Sequence, residues 1–115
     1  MNTLGKEGED IAADFLEKNG LSIIRKNYRT VFGEIDIIAK DREVIVFIEV
    51  KTRADNVFAH PFEAVNQKKR DKIRKVALCF MKGQKKEFPA RFDVLSITSC
   101  RGETRIEHIK DAFEV

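Results

Sequence analysis

Asp36 and the triplet Glu49-Val50-Lys51 are the residues of this 115-residue chain best suited to chemistry. Each acid stands inside an apolar run, Gly33-Glu34-Ile35-Asp36-Ile37-Ile38-Ala39 and Val44-Ile45-Val46-Phe47-Ile48-Glu49-Val50-Lys51-Thr52-Arg53. Carboxylates are almost never fully buried without a partner. Two of them about 4 Å apart repel by about 4 kcal/mol at an effective dielectric near 20. A divalent cation, or the Lys51 ammonium, would relieve that repulsion. Mg²⁺ or Mn²⁺ held by Asp36 and Glu49, with the Val50 carbonyl and waters, suits hard oxygen donors. Such an ion lowers the pKa of a bound water and polarises a phosphoryl oxygen. Lys51 would stabilise charge developing on the phosphate or orient the attacking water. These parts match phosphodiester hydrolysis. Glu9 offers a further carboxylate for the same ion or a second one.

The two acids can meet only if the elements carrying them are set correctly. Both runs are rich in β-branched and aromatic residues and read as strands. Side chains alternate along a strand, so Glu49, Lys51 and Arg53 share a face. Asp36 joins them if the hairpin pairs residues whose numbers sum to an odd value. A two-residue turn at Arg42-Glu43 does this; a three-residue turn without a bulge places the acids on opposite faces.

Around this hairpin the pattern predicts a helix over residues 4–19, with Thr3 as N-cap and Asn19-Gly20 as the stop. Leu4, Ile11, Ala12, Phe15 and Leu16 form its apolar face, with Gly5 and Gly8 permitting close approach and Glu9 at the edge. A strand follows over residues 21–28. After the hairpin, the stretch 54–62 reads as a loop containing Asn56 and His60-Pro61. A second helix then carries Val65, Lys69, Ile73, Val76, Ala77 and Phe80 at spacings of three and four. Lys69 is a cation on that inner stripe, aimed at the sheet end. Short strands are expected over residues 92–98 and 105–109. A helix between the third and fourth strands implies a parallel, right-handed crossover. The fold is therefore α/β, a single domain over residues 1–115 with a mixed central sheet flanked by helices.

Charge is uneven. The chain carries +3 overall, but residues 66–86 hold nine basic residues against Asp71 alone, a local +8 that leaves −5 elsewhere. Such a stripe suits a polyanion, although a lysine-rich solvated helix face is equally common. No apolar run has the length to cross a bilayer, and the N-terminal residues lack a signal-peptide pattern. Cys79 and Cys100 form no CxxC; Cys79 falls on the apolar side of its helix and reads as a buried free thiol. A cytoplasmic protein without membrane contact is expected.

Asp36 with Glu49-Val50-Lys51 resembles the D…(D/E)xK signature of the PD-(D/E)XK, or restriction-endonuclease-like, nuclease superfamily. More narrowly, Gly33-Glu34-Ile35-Asp36, Phe47-Ile48-Glu49-Val50-Lys51-Thr52-Arg53, Pro61 with Ala64-Val65, Lys69, and Arg91-Phe92-Asp93-Val94 resemble the bacterial YraN-type family, related to Holliday-junction resolvases. The resemblance implies an αβββαβ core and a Mg²⁺- or Mn²⁺-dependent endonuclease acting on DNA, branched or single-stranded forms included. It implies catalytic roles for Asp36, Glu49 and Lys51, and metal contacts from Asp36, Glu49, Val50 and Glu9. Arg53, Gln67, Lys68, Lys69, Arg70, Lys72, Arg74 and Lys75 would bind nucleic acid, and a homodimer is compatible with it. A catalytically inert nucleic-acid-binding module and an interaction protein with a basic docking face are the alternatives.

Each residue also has a plainer reading. Asp36 and Glu49 would then be edge-strand acids facing solvent, Lys51 and Arg53 surface partners of Glu34, and Glu9 a helix-dipole acid. Asp93 reads as ordering Arg91 or a loop. His108 and both cysteines read as structural. Tyr28 and Phe32 suit either base stacking or the core.

Overall fold

Alternation along one strand separates the interior into two layers. The computed structural model describes residues 3–54 and 67–113, so Asn56, His60, Pro61, Ala64, Val65 and Asn66 lie outside the described residues. The elements are α1 (Thr3–Lys18), β1 (Ser22–Thr30), β2 (Gly33–Asp41), β3 (Val44–Ala54), α2 (Gln67–Lys82), β4 (Ala90–Cys100) and β5 (Glu103–Phe113). Ile45 and Phe47 of β3 pack with Ile73, Val76, Ala77 and Phe80 of α2. Val46 and Ile48 pack instead with Ala12, Ala13 and Leu16 of α1. The two helices therefore cover opposite faces of one sheet, as a period of two demands.

The five strands lie side by side in chain order. β1–β2, β2–β3 and β4–β5 are antiparallel, whereas β3 and β4 are parallel, joined through α2. The fold is thus mixed α/β, and its element order contains the expected αβββαβ core. α1 stops at the expected place: the amide of Gly20 donates to Glu17 O at 3.1 Å and that of Leu21 to Leu16 O at 3.0 Å. These two bonds satisfy end carbonyls that would otherwise lack partners.

β4 and β5 are longer than the pattern suggested, eleven residues each. They form a hairpin turning at Arg101-Gly102, whose φ values of 52° and 79° are both left-handed, the backbone of the two-residue turns that match strand twist. Tight packing also fixes α1. Gly8 is buried, and a Cβ there would overlap the methyl of Thr52 on β3. Only glycine lets this first part of α1 lie so close to the far end of β3.

Candidate functional site

The β2–β3 turn is the two-residue one. Pairing runs from Asp41↔Val44 to Ile37↔Ile48, so partner numbers sum to an odd value and Arg42-Glu43 form the turn. Extended by one step, this register sets Asp36 against Glu49. Glu49, Lys51 and Arg53 follow Ile45 and Phe47 in phase, on the α2 face.

At Asp36 the strand turns over. β1–β2 pairing passes from Lys26↔Ile37 to Tyr28↔Ile35, omitting Asn27 and Asp36. Ile35 and Ile37, two residues apart, pack in opposite cores, which an unbroken strand does not allow. Asn27 sits at φ 52°, a left-handed conformation that asparagine tolerates better than most residues. Released from the ladder, the Asp36 carboxylate accepts the Val50 N–H at 2.8 Å. Val50, expected to contribute its carbonyl to an ion, thus engages the acid through its amide.

Electrostatics at Asp36 disfavour its charged form. Burial pushes the Asp36 carboxyl up to about 7, and the neighbouring Glu49 charge pushes in the same direction; the Val50 N–H opposes them, while Glu9 and Glu34 add further repulsion. Glu49, 13% exposed at its side chain, is met by Lys69 Nζ at 2.6 Å from its Oε1. Burial disfavours the Lys69 ammonium, but bonding and charge from Glu49, bonding to Lys51 and the charge of Asp36 outweigh it, so its pKa is raised. Lys51 moves the other way. Burial, then the adjacent Lys69 charge and hydrogen bond, hold it below the ordinary lysine value against the pull of Glu49. The two lysines of the pair are thus pushed in opposite directions.

Glu9 is engaged by a side chain of β1. Its Oε2 accepts the Asn27 side-chain amide at 2.8 Å, and it reaches Asp36 only through its charge. Among the described residues no group of three or more His, Cys, Asp or Glu is placed to hold a metal. Glu9, expected to serve the same ion or a second one, has its carboxylate held by the left-handed Asn27. Two carboxylates with two lysines are what the fold gathers, and hard oxygen donors crowded into mutual repulsion fit a divalent cation.

The basic stripe divides into three. Lys69 turns inward to Glu49. Arg70 and Arg74 lie over the Phe113 ring at 5.5 and 5.8 Å, and Arg74 also pairs with Asp71 at 3.0 Å. Lys68, Lys72 and Lys75 are exposed and, at spacings of four and three, share one face of α2. Gln67 donates to Asp71 at 3.0 Å, so Lys69 rather than Gln67 reaches the carboxylates. Arg53 is half-buried on the face it shares with Glu49. Two buried polar residues of β4, Ser96 and Thr98, are register partners of Lys51 and Arg53. They and Asn27 were not singled out from the sequence; the only hints were hydroxyls in phase with Val94 and an asparagine inside a strand.

Most of the remaining singled-out residues pack or pair within the fold. Asp93 receives Arg91 Nε at 3.0 Å, lies 2.7 Å from His108 Nε2 and accepts the Asp111 N–H at 2.9 Å. Tyr28 packs edge-on to Phe80 at 5.5 Å, whereas Phe32 is partly exposed, with Lys75 Nζ 5.8 Å from its ring centroid. Cys100 is buried, but Cys79 is only half-buried rather than fully covered. No helix among the described residues is long and apolar enough to cross a membrane.

Known proteins match this chain along most of its length. The profile of the uncharacterised protein family UPF0102 matches residues 8–97. A UPF0102 protein of Thermodesulfovibrio yellowstonii is 51% identical over 110 residues, covering 96% of this chain and 95% of its own. A UPF0102 protein of Syntrophus aciditrophicus is 45% identical over 112 residues, covering 96% and 88%. One of Clostridium botulinum is 42% identical over 116 residues, covering 97% and 94%. With most of α1, the hairpin, α2 and most of β4 inside the matched span, the chain belongs to the UPF0102 family.

Proposed function

We propose that this chain is a Mg²⁺- or Mn²⁺-dependent endonuclease of the PD-(D/E)XK superfamily that hydrolyses phosphodiester bonds in DNA in the cytoplasm. The observation that supports this reading best is the meeting of Asp36, Glu49, Lys51 and Lys69 at one end of the sheet, with Asp36 raised to about 7 by burial and the Glu49 charge. Asp36 and Glu49 would hold the ion, which when bound lowers the pKa of a water and polarises the phosphoryl oxygen. Lys51, beside Glu49 and Lys69, can orient the attacking water or place its charge beside the developing negative oxygen. Lys69 holds Glu49 in place and can transfer to a phosphate. Lys68, Lys72 and Lys75 offer charge along the backbone of the substrate, a contact that falls with salt.

The test is cleavage of branched, duplex and single-stranded DNA with Mn²⁺, by the wild type and by Asp36→Asn and Lys51→Ala. Each variant is expected to lose roughly 10²–10⁴-fold in rate, the span of a removed acid–base or charge-stabilising group. Equal cleavage by all three proteins would identify a contaminant and remove the support for the reading. Salt-sensitive binding without cleavage would favour an inert binding module, a reading to which the Lys69–Glu49 pair lends weight by neutralising the site without an ion. Absence of any nucleic-acid binding would favour a protein-docking role for the basic face.

A further inference from the structure

The far end of α2 carries an open groove that the proposed reaction leaves unused. A cavity of about 130 Å³ lies between α2 and the start of β4, with Phe47, Ala77, Leu78, Met81 and Phe92 among its walls. A wider trough of about 400 Å³ shares Leu78 and Met81 with it and continues past Lys82, Lys85 and Lys86 to Phe88. Leu78 is 60% exposed. One such leucine is ordinary; a leucine standing at the mouth of an apolar cavity is not. The smaller volume is close to the roughly 150 Å³ of an apolar cavity known to take a benzene ring, so it fits one leucine- or phenylalanine-sized side chain.

We propose that this groove docks an acidic peptide segment of a partner protein, which inserts one apolar side chain between α2 and β4 and lays its carboxylates along Lys82, Lys85 and Lys86. Charge complementarity selects this occupant. Glu87 is the only acid among the trough's lining residues. Glu43 reaches the trough's edge at 4.0 Å from Lys86 Nζ, an exposed pair that a partner carboxylate can replace. Lys40 adds a cation at Phe88, 4.4 Å from its ring centroid. Nucleic acid fits less well. The Phe88 ring already carries Lys40 and, at 5.3 Å, Lys86, so no bare aromatic platform is offered to a base. The cavity walls facing an occupant are chiefly side chains of apolar residues, the setting for an anchor of the kind used by peptides in grooves.

The groove is separate from the carboxylate site. Ala90 pairs with Ile45, four residues along β3 from Glu49 and so about 13 Å away at the rise of a strand. Lys69 and Leu78 are nine residues apart on α2, again about 13 Å. Docking therefore does not depend on the nuclease reading.

Selection of a random nonapeptide display library on the full chain, with Leu78→Asp as the counter-target, tests the proposal. Leu78 is exposed, so Leu78→Asp is expected to keep the wild-type melting curve; a Lys82→Glu/Lys86→Glu variant tests the charged half independently. Enriched peptides should be acidic with a single Phe, Leu or Ile. In fluorescence anisotropy the best of them should bind either variant about tenfold or more weakly, as should its apolar-to-Ser version bind the wild type. Enrichment without acidic excess, or binding unchanged in Leu78→Asp, overturns the proposal. So does displacement of the peptide by a single-stranded oligonucleotide whose own binding is lost in Leu78→Asp. A wild-type dimer in sedimentation that Leu78→Asp dissociates would assign the groove to a second copy and overturn it too.

Discussion

Asp36 and Asp93 are both aspartates drawn into the sheet, and their surroundings are opposite. Asp93 is 1% exposed and is surrounded by donors. Burial pushes its carboxyl up, but His108, Arg91 and the Asp111 N–H more than offset this and hold it below the ordinary value. Arg91 also reaches Asp41 at 3.0 Å, joining the ends of β2 and β4. Opposite Asp93, β5 places three residues, Lys110, Asp111 and Ala112, where β4 has Asp93 alone, between the pairs Val94↔Ile109 and Phe92↔Phe113. Asp111 in that bulge adopts φ 53°. Asp36 has one backbone donor and three acids around it, and its carboxyl rises to about 7. A satisfied buried acid serves the fold; an acid crowded by its own sign is available for a ligand that brings positive charge.

The largest expected effect tests the satisfied member. Asp93→Ala should cost about 3–5 kcal/mol in urea unfolding, because Arg91 is left half-buried without its main partner. Asp36→Asn should cost less than about 1 kcal/mol or stabilise the metal-free protein, since it removes repulsion and keeps an acceptor for Val50 N–H. Equal losses at the two positions would break the contrast.

Next in size is pH. The folded Asp36 carboxyl, at about 7, lies above its unfolded value near 3.9, so the native state binds more protons between these limits. Stability of the metal-free protein should therefore fall as pH rises from about 4 to about 7, by at most about 4 kcal/mol at 1.36 kcal/mol per unit. Asp93 has the opposite sign: its pairing contributes above the unfolded pKa and is lost as pH falls below about 4. Unfolding midpoints between pH 3 and 8 in EDTA should show both limbs in the wild type. The upper limb should disappear in Asp36→Asn.

A divalent ion sharpens the comparison further. Mn²⁺ at about 100 times its dissociation constant should add about 2.7 kcal/mol to the wild type, and little to Asp36→Asn. Lys69→Met should lower stability in EDTA, by leaving Glu49 unpaired, and enlarge the gain from Mn²⁺; differential scanning calorimetry reads both. The smallest effect concerns the support beneath the site. Gly8→Ala should cost about 1–2 kcal/mol, the overlap with Thr52 outweighing the helix propensity gained. Thr52→Ser, by removing the methyl, should recover most of that loss.

Particular residues show how much of this was legible in the sequence. Asn19-Gly20 marked the end of α1, and the spacing of Ile73, Val76, Ala77 and Phe80 gave the buried face of α2 together with the inward position of Lys69. The expected ends of β4 and β5 fell short because their flanks, Ala90-Arg91 and Glu103-Thr104, do not alternate cleanly. Those flanks are held by the parallel pairing to β3 and by the Arg101-Gly102 turn. The partner of Glu9 was not legible: the Asn27 side chain meets it across 18 positions of sequence. No local pattern announces such a contact.

By itself the sequence determined the elements, the two apolar stripes and the positions of the acids and lysines, because periodicity and turn chemistry are local. Tertiary structure alone decided what each charged group experiences. Asp36 is raised by Glu49 from another strand, Lys51 is lowered with the help of Lys69 from a helix, and Asp93 is lowered through His108 from the edge of the sheet. The energy of a charge depends on burial and on neighbours within a few ångströms. Those neighbours are chosen by strand register and by the turnover at Asp36, not by proximity along the chain.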